Sequence, residues 1–179
     1  MTSGARPLRF PLVLVVLHWA GAMLVMAQLG LGLRIASAAE TPALATLGWH
    51  AAIGQAILLT TLVRVGIRLS RPMPPQHRGW RGFYARAEYV SLYALMIATP
   101  LAGIAAWTRV TKGAPLPLFG LGEVAPPDLS RFDVHANLAL ALGLLVGAHI
   151  FAVLCNFLLD GPPAVRRMLP GREVNLAGD

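Results

Sequence analysis

Apolar positions in this chain gather into four long runs, at about residues 10–33, 43–69, 87–107 and 132–159, separated by stretches rich in Pro, Gly and charge. Each run reaches the roughly 20 residues that a helix rising about 1.5 Å per residue needs to cross a bilayer core of about 30 Å. Inside hydrocarbon every backbone N–H and C=O must be paired within the segment, which leaves helices for runs of this length. The pattern predicts an all-α, membrane four-helix up-and-down bundle forming a single domain over 1–179. Glu40-Thr41-Pro42 marks the first turn, and Arg71 to Arg81 reads as a loop because its prolines and arginines suit no helix. Residues 108–131, rich in Gly and Pro, form the longest connection, and Asp160-Gly161-Pro162-Pro163 stops the fourth span. Pro100 lies inside the third span, where neighbouring helices satisfy the carbonyl it frees.

Composition supports a membrane class. The 179 residues are 56% apolar and only 13% charged, with mean hydropathy +0.62, against about 25% charged residues in ordinary soluble domains. The net charge of +7 suggests a topology signal and no nucleic-acid partner, since the basic residues fall between spans and form no recognition helix. Arg6, Arg9, Arg71, Arg78, Arg81, Arg166, Arg167 and Arg172 all belong to the two termini and the 2–3 connection. By the positive-inside rule those segments are cytoplasmic. Ala36-Ser37-Ala38 imitates a signal-peptide cleavage site, but the preceding apolar run is too long for one. The single Cys155 excludes an intramolecular disulfide or a cysteine-based metal site.

Polar exceptions inside the spans carry the chemistry. His135 and His149 stand fourteen residues apart on span 4, and His50 and Arg64 are spaced alike on span 2. Fourteen residues of helix return a side chain to within about 40° of the same face, about 21 Å along the axis. With alternating spans, His18 and His149 fall roughly 12–16 Å from the cytoplasmic edge, while His50 and His135 lie near the outer edge. A lone intramembrane histidine is often only a helix–helix hydrogen-bonding group, but two depth-matched couples point to ligands. Imidazole suits haem iron, zinc, copper or nickel. A structural zinc wants four ligands at one point, and these two levels are too far apart to pool theirs. Two axial ligands per level suit a six-coordinate haem, and Gly21, Ala22, Ala52, Gly54 and Gly143 leave room for the ring. Arg64 is spaced to grip carboxylates such as haem propionates. A small metal-ion or proton-coupled transporter is the reading from another class. It would want acidic groups at mid-membrane, and Glu88 stands only at the mouth of the third run.

Taken together, His18-Trp19, then His50 with Gly54 and Arg64, Leu92-Tyr93 with Pro100 and Gly103, and His135 to His149 followed by Asp160 and Arg167-Met168-Leu169-Pro170 resemble the bacterial cytochrome b561 family. The resemblance covers about residues 10–170. It implies a bacterial inner-membrane diheme cytochrome, with His18 and His149 holding the inner haem b and His50 and His135 the outer one. It also implies electron transfer from superoxide or another periplasmic-side donor to ubiquinone, as in superoxide oxidase. The alternative within the family is a haem-b anchor subunit working with a separate periplasmic or hydrogenase-type redox partner. Members similar to superoxide oxidase carry a His-His pair after the last ligand, where this chain has Asn156-Phe157. Asn156 offers a quinone carbonyl a hydrogen bond but no proton-accepting nitrogen.

Overall fold

The computed structural model describes residues 10–38, 44–70, 79–110 and 132–160. They form four helices, α1 (Leu12–Ala36), α2 (Leu44–Ser70), α3 (Trp80–Val110) and α4 (Asp133–Asp160). The connection from 111 to 131, the proline-rich stretch from 71 to 78 and the basic tail lie outside the described residues. At 25 to 31 residues, the helices are about 38–46 Å long, enough to cross the hydrocarbon and both interfaces.

Their ends follow from local chemistry. Pro11 precedes α1 with φ −53, and its carbonyl accepts from the N–H groups of Leu14 and Val15 at 2.9 and 3.2 Å. The N–H of Ser37 closes the other end onto the Leu33 carbonyl at 2.9 Å. Arg34 lies in that last turn, where a cation meets the negative end of the helix dipole. Asp133 opens α4, the favourable sign for a helix start.

The third helix departs most from its apolar run. It begins at Trp80, with Gly79 just ahead in the left-handed region at φ 71. The N–H of Phe83 bonds the Gly79 carbonyl at 3.1 Å. Arginines and exposed aromatic rings make residues 80–86 look like a loop by hydropathy, yet they are helical. The Trp80 and Tyr84 rings stack edge to face 4.6 Å apart on the outside of these turns. The expectation of a loop through Arg81 is corrected at its last two residues. Glu88, expected at the helix mouth, consequently lies about 12 Å along α3.

Large apolar side chains face outward on every helix. Leu12, Met23, Leu59, Leu144, Phe151 and Leu158 are all more than half exposed, and together they make a surface that water would not tolerate but lipid would. All four helices are long and apolar enough to span a membrane. Consecutive helices pack closely, α1 on α2, α2 on α3 and α3 on α4. Helix α4 stands further from α1 and α2 at the backbone level.

Inside, the bundle is layered by heptads. Val25, Ile57, Met96 and Leu142, one from each helix, form the buried middle layer, with Leu29, Ile53, Leu92 and Val146 around them. Each lies seven residues from a polar or glycine position in either direction: 18-25-32, 50-57-64, 89-96-103 and 135-142-149. An α-helix drifts only about 20° per seven residues, so each triplet stays on the inner face. The result is an apolar floor between two chemically active levels, about 10 Å from each along the axes.

Candidate functional site

At the level nearer the start of α1 and the end of α4, the rings of His18 and His149 face each other with centroids 6.5 Å apart and planes at 76°. His149 Nδ1 lies 3.0 Å from Glu88 Oε1 on α3. A carboxylate beside Nδ1 makes that nitrogen the N–H donor and leaves Nε2 with its lone pair. On the other side, Arg64 Nη2 is 3.3 Å from His18 Nδ1. Guanidinium only donates, so this contact requires an unprotonated Nδ1. A neutral imidazole that ligates a metal through Nε2 carries its proton on Nδ1, and Arg64 must then turn away and find an acceptor elsewhere. Its Nε is already buried without a partner. Arg64 and Arg68 are spaced one helical turn apart against Tyr93 and Tyr89, at 5.5 and 4.2 Å from the ring centroids. These cation–π contacts hold both guanidinium groups at this end of the bundle.

At the opposite level, His50 and His135 have centroids 5.8 Å apart and planes at 84°. His135 Nδ1 donates to the carbonyl of Thr99 at 2.9 Å, again leaving Nε2 free for other use. The buried Nδ1 of His50 has no hydrogen-bond partner, a condition that native interiors rarely tolerate without a reason. Gly103 brings α3 against the His135 ring so closely that a Cβ there would stand 3.0 Å from Nδ1. Gly32 plays a looser version of the same part for His50, at 3.6 Å from Cε1. Gln28 bridges α1 to α2 by donating from Nε2 to the His50 carbonyl at 3.0 Å.

These couples fit an iron macrocycle better than a pooled metal site. With metal–imidazole bonds of about 2.0–2.1 Å and a nitrogen about 1.1–1.2 Å from its ring centre, two trans imidazoles have centroids about 6.2–6.6 Å apart. The His18–His149 spacing falls inside that range, and the His50–His135 couple needs to open by about 0.4–0.8 Å. Among the described residues no three His, Cys, Asp or Glu side chains gather as metal ligands. Helix α4 supplies one ring to each couple while standing apart from the helices that supply the other two.

Asn156, the other residue singled out by sequence, is exposed near the end of α4. Trp19, Trp49 and Trp80 are exposed, as interfacial rings should be, but Trp107 is buried at 6% exposure. It lies one turn beyond Gly103 on the interior side of α3, because the helix continues past the apolar run to Val110. Thr99, Gln28 and Gly32 belong to the site and are not ligand-type residues, and Glu88 belongs to it through α3 starting earlier than its apolar run. Extending the fourteen-residue step to the first and third helices finds the glycines: 18 leads to 32, and 89 leads to 103.

Four spanning helices that enclose two facing imidazole couples define a membrane cytochrome of the b type. Comparison with known sequences agrees. A family profile described as prokaryotic cytochrome b561 matches residues 9–171, and the chain belongs to that family, whose members are membrane haem-b electron-transfer proteins. It is similar to cytochrome b561 homolog 2 of Escherichia coli (strain K12), with 26% identity over 181 residues covering 91% of this chain and 92% of that protein. Membership in a haem-binding family displaces the transporter alternative.

Proposed function

We propose that this chain is a diheme cytochrome that passes electrons across the bacterial inner membrane, with His18 and His149 as axial ligands of an inner haem b and His50 and His135 of an outer one. The observation that carries this reading is the pair of imidazole couples at near-axial spacing, 6.5 and 5.8 Å, on either side of an apolar layer. Haem b, when bound, supplies a one-electron ferric–ferrous couple at each level. The chain's own part is to hold two neutral imidazoles per level, to keep water out through Val25, Ile57, Met96 and Leu142, and to offer Arg64 to propionates once His18 Nδ1 is protonated. The basic termini and 2–3 connection face the cytoplasm, which puts the His50–His135 couple on the periplasmic side.

Superoxide or another periplasmic-side donor delivers electrons at the outer couple, and ubiquinone accepts them near the inner one. Two superoxide ions each lose one electron to give dioxygen, and one quinone takes up both electrons with two protons. Asn156 is the α4 residue that would offer a quinone carbonyl its hydrogen bond, a reading supported by its exposure near the end of the helix. Because asparagine takes up no proton, the haem-b anchor role, with a separate redox partner as donor or acceptor, is the second reading.

Haem counting tests the ligand assignment. Purified protein should hold two low-spin haems; His18→Ala and His149→Ala should each lose one and keep the other, and His50→Ala and His135→Ala should lose the complementary one. Full haem content in all four variants would sink the assignment. Superoxide-driven reduction of ubiquinone by the isolated diheme chain separates the two functional readings. Inactivity with both haems in place would favour the anchor role. An increased rate in Asn156→His would tie position 156 to the quinone, and an unchanged rate would detach it.

A further inference from the structure

The two histidine couples differ in what holds their α4 ring. His135 Nδ1 donates to a neutral peptide carbonyl, that of Thr99, at 2.9 Å. His149 Nδ1 stands 3.0 Å from a carboxylate oxygen of Glu88. Both partners come from α3, fourteen residues being the separation of the two rings along α4 and eleven that of their partners along α3. The Glu88 and His149 side chains are 28% and 36% exposed, so the contact is partly sheltered. No other hydrogen bond to either group is present among the described residues. A carboxylate is costly in a spanning helix unless it is partnered or has a task. Here it has both a partner and a geometry that recurs at metal centres, carboxylate to imidazole to metal, in which the outer group fixes the tautomer, turns the ring and strengthens it as a donor.

We propose that Glu88 is a positioning residue for the inner haem, holding His149 with Nε2 toward the iron and lending it anionic character, so that the inner centre favours ferric iron more than it would beside a neutral partner. The proposal rests on His149 being an iron ligand. At the same level Arg64 brings a positive charge on the His18 side, and the two charges act in opposite senses on the iron between them. Removing the carboxylate leaves the guanidinium unopposed and weakens the His149 donor, and both changes favour ferrous iron. The outer centre, whose His135 has only a peptide carbonyl behind it, has no such residue to lose.

The test is an optical redox titration with haem counting and low-temperature electron paramagnetic resonance on the purified full chain. Glu88→Gln keeps the side chain's shape and an accepting oxygen while removing the charge. It should retain two haems, raise one midpoint potential, shift the low-spin ferric signal of that same haem and leave the other haem unmoved. Glu88→Ala should also weaken retention of that haem about 10–100-fold, and Glu88→Asp should restore part of the lost shift. Two haems with unchanged potentials and signals in Glu88→Gln would overturn the proposal. If the variants do not yield folded protein, the unmodified chain still decides it. With its glutamates carrying 13C side-chain carboxylates, its redox-difference infrared spectrum should show an isotope-shifted carboxylate band that moves with one haem only, and absence of that band would count against Glu88. A His149→Ala protein that kept both haems would sink the ligand assignment itself. Loss of one haem there, with Glu88→Gln silent, would sink only the role of Glu88.

Discussion

Gly103→Ala puts a single methyl group where the structure has no room for it. The added Cβ would meet His135 Nδ1 at 3.0 Å, Cε1 at 3.1 Å and Cγ at 3.7 Å, whereas carbon contacts are comfortable at about 3.5–4.0 Å. The ring must retreat by about 0.5 Å, and it is not free to do so. Its Nδ1 is bonded to the Thr99 carbonyl at 2.9 Å, so a retreat of that size stretches the bond beyond the usual limit of about 3.2 Å. Metal–ligand distances tolerate only about 0.2 Å. Overpacking of this kind costs about 1–3 kcal/mol, while alanine is better than glycine inside a helix by about 1 kcal/mol. The fold therefore loses about 0–2 kcal/mol net, and the outer haem bears the misfit at its ligand. At about 1.4 kcal/mol per factor of ten, affinity for that haem should fall roughly 5–150-fold. Haem content should drop from two toward one per chain when haem is limiting, with the inner centre's potential preserved. Gly32→Ala is the internal control, because its Cβ would stand 3.6 Å from His50 Cε1, an ordinary contact, and both haems should stay. Two fully retained haems with an unshifted outer potential in Gly103→Ala would refute the reasoning.

Arg64→Gln removes the cation proposed to meet the propionates of the inner haem; charge-assisted bonds contribute about 1.5–3 kcal/mol, so inner-haem retention should fall about 10–150-fold and its potential should drop, with the outer haem intact in the same titration. Gln28→Met deletes a donor to the His50 carbonyl and a buried, unpartnered Oε1 together. Losing both at once should be close to neutral, within about 1 kcal/mol by thermal melting, since a helical carbonyl retains its own i+4 partner. Reporter fusions at either terminus should read as cytoplasmic, fluorescent for a green fluorescent protein and inactive for alkaline phosphatase. A periplasmic reading at the carboxyl terminus would invert the depth assigned to each couple.

Hydropathy and the fourteen-residue spacing of His135 and His149 were enough to read a four-helix membrane bundle with polar groups at two depths, because both depend on helix geometry alone. What escaped depends on which helix faces which. Glu88 looked like a residue at a helix mouth since apolar runs report where lipid begins and not where a helix begins, and Trp80 to Arg86 are helical without being apolar. Thr99 enters through its backbone carbonyl, an atom every residue has and no side-chain pattern advertises. Gly103 drew notice only as part of a family pattern. Its physical role is the absence of a Cβ against an imidazole, which needs the neighbouring helix to be seen. Trp107 ends an apolar run, where tryptophans commonly meet the membrane interface, yet α3 turns it inward.

Helix α3 carries no histidine in its described length, yet it determines whether the other three helices can pair theirs. Helix α4 must present two rings on one face, and a rotation of one residue, about 100°, would withdraw both. Its own apolar surface gives it little reason to prefer one face, since Leu140, Ile150, Val153 and Leu159 point outward around much of its circumference. Leu142 in the middle layer supplies part of the key. The rest comes from α3, which fixes the two rings directly through Thr99 O to His135 and Glu88 to His149. A turn of α4 about its axis must break both hydrogen bonds, and their separation along the helix pair resists tilting as well. The ends nonetheless remain separable. Loss of the Glu88 contact frees one ring while the Thr99 contact, Gly103 and the Leu142 layer still hold the rotation, so damage at either end of α3 should fall on one centre and spare the other.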